Sequence, residues 1–138
     1  MLFLISANLL NFSISIFSEE HIAAAKETFE RTGKKIKAHI KLDTGMNRIG
    51  VTKDEAIEFI KKVQSCDFID LQGIFSHLAN SEVEDLTQKQ FEIFNNIISN
   101  IDTKNGRIYQ YIWYISNLLK QSVLYVATKD DYRYMEVR

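Results

Sequence analysis

Lys41-Leu42-Asp43-Thr44-Gly45-Met46-Asn47-Arg48-Ile49-Gly50 follows an alternating apolar run, Ile36, Ala38 and Ile40, and precedes an amphipathic stretch that begins near Thr52. A strand therefore delivers two cations and a carboxylate to its carboxyl end, which is where α/β folds carry their chemistry. The decapeptide decides the fold because it marks the passage from a strand of period two to a helix of period 3.6.

The same alternation extends in both directions. Upstream, Phe12 to Phe17 alternates apolar and polar residues and reads as a strand. Ser18 is placed to cap a helix with Glu20 and His21 in its first turn, Ile22, Ala25 and Phe29 on one face, and Gly33 as its stop. Ile36 to Leu42 is the second strand. Downstream, a helix starting at Thr52 to Asp54 presents Ala56, Ile57, Ile60 and Val63 as one stripe, with Glu58 and Lys62 spaced to pair on the wet side. Ile69 to His77 is a third strand, Thr87 to Ile101 a third helix with Phe91, Phe94, Ile97 and Ile98 inward, and Ile108 to Ile115 a fourth strand. Such alternation implies parallel strands joined by helical crossovers. A closed (β/α)8 barrel takes about 250 residues, so the fold class expected is α/β, a partial TIM-type barrel of three to four parallel βα units, in one domain spanning residues 1–138.

Composition narrows the function classes. Lys and Arg total 17 against 18 Asp and Glu, and the basic residues are scattered, so a nucleic-acid backbone has no patch to grip. Cys66 is the single cysteine, which excludes an internal disulfide and a cysteine-built metal site and suits a reducing cytoplasm. Met1 to Leu10 is apolar but has no cation ahead of it and is too short to span a bilayer, so it reads as an interior segment of a fold and no membrane partner is expected. His21 and His39 lack ligand spacing and read as structural, Asp43 reads as a turn-fixing carboxylate, and no metal is expected.

Lys41 to Gly50 resembles the Lys-x-Asp-Thr-Gly-Met-x-Arg-x-Gly signature of alanine racemases, pyridoxal 5'-phosphate (PLP) enzymes built on a barrel. Gly73-Ile74-Phe75-Ser76-His77-Leu78 resembles the strand of that family ending in Ser/Thr-His, and Asn11 to Ser18 resembles a preceding strand. The likeness covers residues 8 to about 101; residues 103–131, unusually aromatic, match poorly. The resemblance implies a cytoplasmic, homodimeric isomerase that interconverts L- and D-alanine for peptidoglycan. By it, Arg48 contacts the phenolic oxygen of PLP, Lys41 holds that arginine and is carbamylated in many members, and His77 links the catalytic tyrosine to a further arginine. Arg138 would be that arginine, facing the pyridine nitrogen, and Ser116 falls roughly where a phosphate-contacting serine belongs. The Schiff-base lysine and the catalytic tyrosine have no matching position, so no catalytic residue is assigned and the chain alone is expected to be inactive.

Two alternatives accompany this expectation. One is a non-catalytic PLP-binding barrel protein, although such proteins lack the Asp-Thr-Gly-Met-x-Arg pattern. The other is a structural half-barrel from a damaged gene that binds nothing tightly.

Overall fold

The computed structural model describes residues 2–79 and 84–101, and the strand backbone of 109–116, 121–128 and 131–137. Three stretches follow the expected strand-helix alternation. Strand β1 (Ile14–Ile16) leads to helix α2 (Glu19–Thr32), strand β2 (Ile36–Asp43) to helix α3 (Ala56–Gln64), and strand β4 (Ile69–His77) to helix α4 (Glu84–Ser99), after which strand β5 (Tyr109–Ser116) begins. All four of these strands are parallel, and their order across the sheet is their order in the chain. A sheet wound in one direction only puts its crossover helices on one side, which is the arrangement of a barrel arc and not of a doubly wound sheet.

The packing agrees. Ile36, Ala38, Ile40 and Leu42 of β2 lie in one buried cluster with Ile22 and Ala25 of α2, Ala56, Phe59, Ile60 and Val63 of α3, and Phe94 and Ile97 of α4. Alternate side chains of a strand take opposite faces. Lys37, His39, Lys41 and Asp43 therefore face the side without helices, which is the inside of the arc.

Several expectations need correction. The first strand is Ile14–Ile16, shorter than the Phe12 to Phe17 run. Met1 to Leu10 reads as an interior segment, and Leu2–Leu9 is helix α1; Asn8 Nδ2 donates to the Lys35 carbonyl at 3.0 Å and so ties it to the link between α2 and β2. No helix among the described residues is long and apolar enough to cross a membrane. The second crossover helix starts at Ala56, not at Thr52 to Asp54, because Val51–Thr52 forms a short strand, β3, beside Leu42 and Asp43. Lys62 bridges Glu19 of α2 instead of pairing with Glu58.

The largest departure lies beyond β5. Strand β6 (Gln121–Thr128) runs antiparallel to β5, and β7 (Asp131–Val137) antiparallel to β6. Four residues, 117–120, separate β5 from β6, and a parallel return needs a connection of about a dozen or more. Parallel βα winding accordingly ends at β5, and a meander follows it.

Candidate functional site at the carboxyl ends of the strands

Several residues of the Lys41 to Gly50 stretch have a structural reason to be there. The Asp43 carboxylate accepts the backbone N–H of Gly45 and of Asn47, both at 3.0 Å, and closes the turn that leaves β2. Asn47 takes the left-handed conformation at φ 54°, which a short polar side chain tolerates. At Gly50 a Cβ would sit 2.8 Å from the Asp43 nitrogen and 2.8 Å from the Leu42 carbonyl carbon, at φ 132°. Only glycine lets the chain come that close to β2, and β3 pairs with it immediately afterwards. The loop is thus bound back against the strand it left.

Lys41 holds this loop from beneath. Its side chain is buried at 5% exposure, its ammonium donates to the Ile49 carbonyl at 2.8 Å, and it lies 6.0 Å from the centroid of the Phe75 ring. Burial lowers its pKa, the Asp43 carboxylate opposes that shift, and the Arg48 charge adds to it. Arg48 is exposed on the same loop.

His77 closes β4. Lys41 pairs in register with Phe75, so the next same-face positions along the two strands are Asp43 and His77. Burial pushes the His77 imidazole below its ordinary pKa, and the nearby charges of Lys41 and Arg48 push it the same way. The structure therefore brings Lys41, Arg48 and His77 to one end of the arc, on its helix-free side. Ser116 is the last residue of β5, beyond Trp113, which pairs with His77. Arg138 lies outside the described residues. Among the described residues no group of His, Cys, Asp and Glu could hold a metal.

His39 also lies on the inner face, two residues before Lys41, with its pKa lowered by burial. His21 is part of a helix start: its Nδ1 accepts the Phe17 N–H at 3.2 Å and its ring packs edge-on to Phe17 at 4.5 Å.

Beneath the exposed groups runs a buried polar chain that joins Thr44 and Ser76 of the two motifs to Gln90, which the sequence motifs did not single out. Thr44, Ser76 and Gln90 are 3%, 0% and 1% exposed. The Thr44 and Ser76 hydroxyls meet at 2.7 Å, Ser76 donates to the Leu42 carbonyl at 3.2 Å, and Gln90 Nε2 donates to Thr44 at 3.4 Å while its Oε1 accepts the Ala79 N–H at 3.0 Å. One signal could have found it. Gln90, Phe94, Ile97 and Ile101 are all buried and repeat at helical spacing, so Gln90 is a polar residue on an apolar stripe.

Comparisons with known proteins fit this geometry. The sequence profile of the alanine racemase N-terminal domain matches residues 4–117. Alanine racemase 2 of Oceanobacillus iheyensis is 38% identical over 94 residues, covering 66% of this chain and 24% of that protein. An alanine racemase of Borreliella burgdorferi is 36% identical over 112 residues, covering 80% and 30%. Among solved structures, the alanine racemase of Clostridium difficile 630 aligns with a TM-score of 0.70 at 24% identity over 78% of this chain and 31% of that one. A histidine racemase of Leuconostoc mesenteroides aligns with a TM-score of 0.66 at 22% identity, covering 78% of this chain and 30% of that one. Those structural likenesses speak for the fold, an arc of the racemase TIM barrel. The chain spans about a quarter to a third of the length of the relatives it matches. With the profile covering most of its residues and the motif built into a loop on the rim of that arc, this chain belongs to the alanine racemase N-terminal domain family.

Proposed function

We propose that these 138 residues form a single partial barrel domain of a cytoplasmic, PLP-dependent amino-acid racemase that interconverts L- and D-alanine, the D-isomer serving cell-wall synthesis. The observation that carries this reading is the gathering of Lys41 of β2, His77 of β4 and Arg48 at one end of the arc, with Arg48 on a loop held in shape by its own motif.

The donor set suits PLP. That cofactor presents a phosphate and a phenolic oxygen, both acceptors, to a rim whose charged groups include an arginine, a lysine and a histidine. Arg48 is the residue for the phenolic oxygen, since a planar guanidinium donates in a fixed direction where an ammonium does not. Lys41 acts through the loop by holding the Ile49 carbonyl. His77, with its pKa lowered, stays neutral near pH 7 and can both donate and accept. Ser116 at the end of β5 is the candidate for the phosphate, and Arg138 for the pyridine nitrogen. Bound there, PLP supplies the electron sink that makes the α-proton of an amino acid removable. This chain supplies position and charge. No lysine of this sequence matches the family's position for covalent attachment of PLP, and no tyrosine matches its catalytic one, so this chain by itself is expected not to turn over alanine.

The test is to add PLP to the chain and follow the Arg48 and His77 resonances by NMR, with alanine racemisation assayed in parallel. We expect both residues to respond reversibly, the response to vanish in Arg48→Ala, and no racemisation above PLP in buffer. Perturbations spread over surface lysines, with Arg48 and His77 unmoved, would overturn the reading.

A further inference from the structure

We propose that Gln90 is a positioning residue: from helix α4 it sets the Arg48 loop against the strand end that carries His77, and so fixes the two site groups relative to each other. The inference rests on the racemase reading of the site and adds to it a residue that touches neither cofactor nor substrate.

The hydrogen bonds have one consistent direction. Ala79 donates its backbone N–H to the Gln90 side chain, so the oxygen of that amide must face Ala79 and its nitrogen must face Thr44. Ser76 spends its single proton on the Leu42 carbonyl. The 2.7 Å contact between the two hydroxyls is therefore a donation from Thr44 to Ser76, which leaves the Thr44 oxygen free to accept from Gln90. The chain runs from α4 through the first residue of the Arg48 loop to the residue beside His77, and ends on the backbone of β2. It is closed to water along its length, with Gln90, Thr44 and Ser76 all buried. Buried chains of this kind are stiff, because any member that turns away leaves its partner unpaired.

A second observation is independent of the hydrogen bonds. Gly45 stands against the Gln90 side chain so closely that an added Cβ would lie 3.1 Å from Nε2 and 3.2 Å from Cγ, at φ 143°. Gln90 is thus packed against Gly45 and bonded to Thr44, two consecutive residues of the loop, while its other end holds Ala79 just past His77. One side chain spans both loops that the site needs.

The test uses the chain without cofactor, reading the imidazole titrations of His39 and His77 by NMR. Burial depresses His77 most, and the charges of Lys41 from β2 and Arg48 from the loop add to it. Releasing the loop weakens the Arg48 contribution. In Gln90→Met and in Thr44→Val we expect the His77 midpoint to move upward while His39 keeps its own, and in Thr44→Ser, which retains the hydroxyl, we expect the parent curve. A folded Gln90→Met whose His77 titrates as in the parent overturns the proposal, as does an equal shift of His39, which would mean general loosening. If Gln90→Met does not fold, the Thr44 pair decides: a shift in Thr44→Val restored in Thr44→Ser supports the role, and any other result removes it. Since no PLP is present, an unshifted His77 counts against Gln90 whether or not PLP binds. Failure to bind PLP leaves the titration result standing.

Discussion

The two faces of β2 do different work with the same backbone. Ile36, Ala38, Ile40 and Leu42 face the helices and are all but inaccessible to water, whereas Lys37, His39, Lys41 and Asp43 face the inside of the arc and carry the polar chemistry. Period two keeps these roles apart: every second residue can be chosen for burial without consulting the one between. The exception is Lys41, buried on the polar face, and its ammonium is directed at a loop carbonyl.

Changes on either face should separate stability from site geometry. The largest effect is expected from Ile40→Ala, which empties a fully buried position and should cost about 2–5 kcal/mol in denaturant unfolding. A cost under about 1 kcal/mol would mean that the helices do not press on that face. Next comes Gly50→Ala, where the new methyl meets backbone at 2.8 Å. The chain must separate from β2 or bear strain, at roughly 1–3 kcal/mol, and the Val51 amide should lose protection from hydrogen exchange. Retained protection would show that the loop can close another way. Lys41→Met removes one hydrogen bond and is expected to change stability by only about 1 kcal/mol. It should nonetheless raise the His77 midpoint, because the Lys41 charge lowers it. A large stability loss with no change at His77 would place Lys41 with the core residues instead of with the site.

The smallest effect is on pH dependence. His39 and His77 both have folded-state pKa values below the ordinary imidazole value of 6.5, so the unfolded chain takes up their protons first. Their contribution to stability is present above pH 6.5 and is lost as the pH falls from there through the folded-state values. Melting temperature should therefore decline across that acid window, and His39→Gln with His77→Gln should flatten the decline. An unchanged slope in the double variant would assign the effect to other groups.

Much of the arc could be read from the chain because its signals are local. The strand Ile69–His77 matches the expected bounds, since Ile69 and Leu71 alternate with Asp70 and Gln72 after a turn, and the apolar pair Ile74-Phe75 carries the run on. The α2 stop at Gly33 is equally local: its φ of 68° is the left-handed conformation that a C-cap favours. The α3 start was misplaced for a tertiary reason, as Val51 and Thr52 are drawn into the sheet by the open flank of β2 beyond β1. At the site, Lys41, Arg48 and His77 were visible through their motif, whereas Gln90 was not. Its partners lie 46 residues away at Thr44 and 11 away at Ala79, and only folding brings them together.

Sequence alone determined the period of the four parallel strands and their three crossover helices, the turn at Asp43 to Gly50 and the family to which the chain belongs, because those depend on residues close together along the chain. Tertiary structure decided which polar groups are buried, how the Arg48 loop meets the His77 strand end, and where parallel winding gives way to the β5, β6 and β7 meander. The physical reason is that burial and hydrogen bonding are properties of pairs, and a buried pair's two members need not be neighbours in the chain.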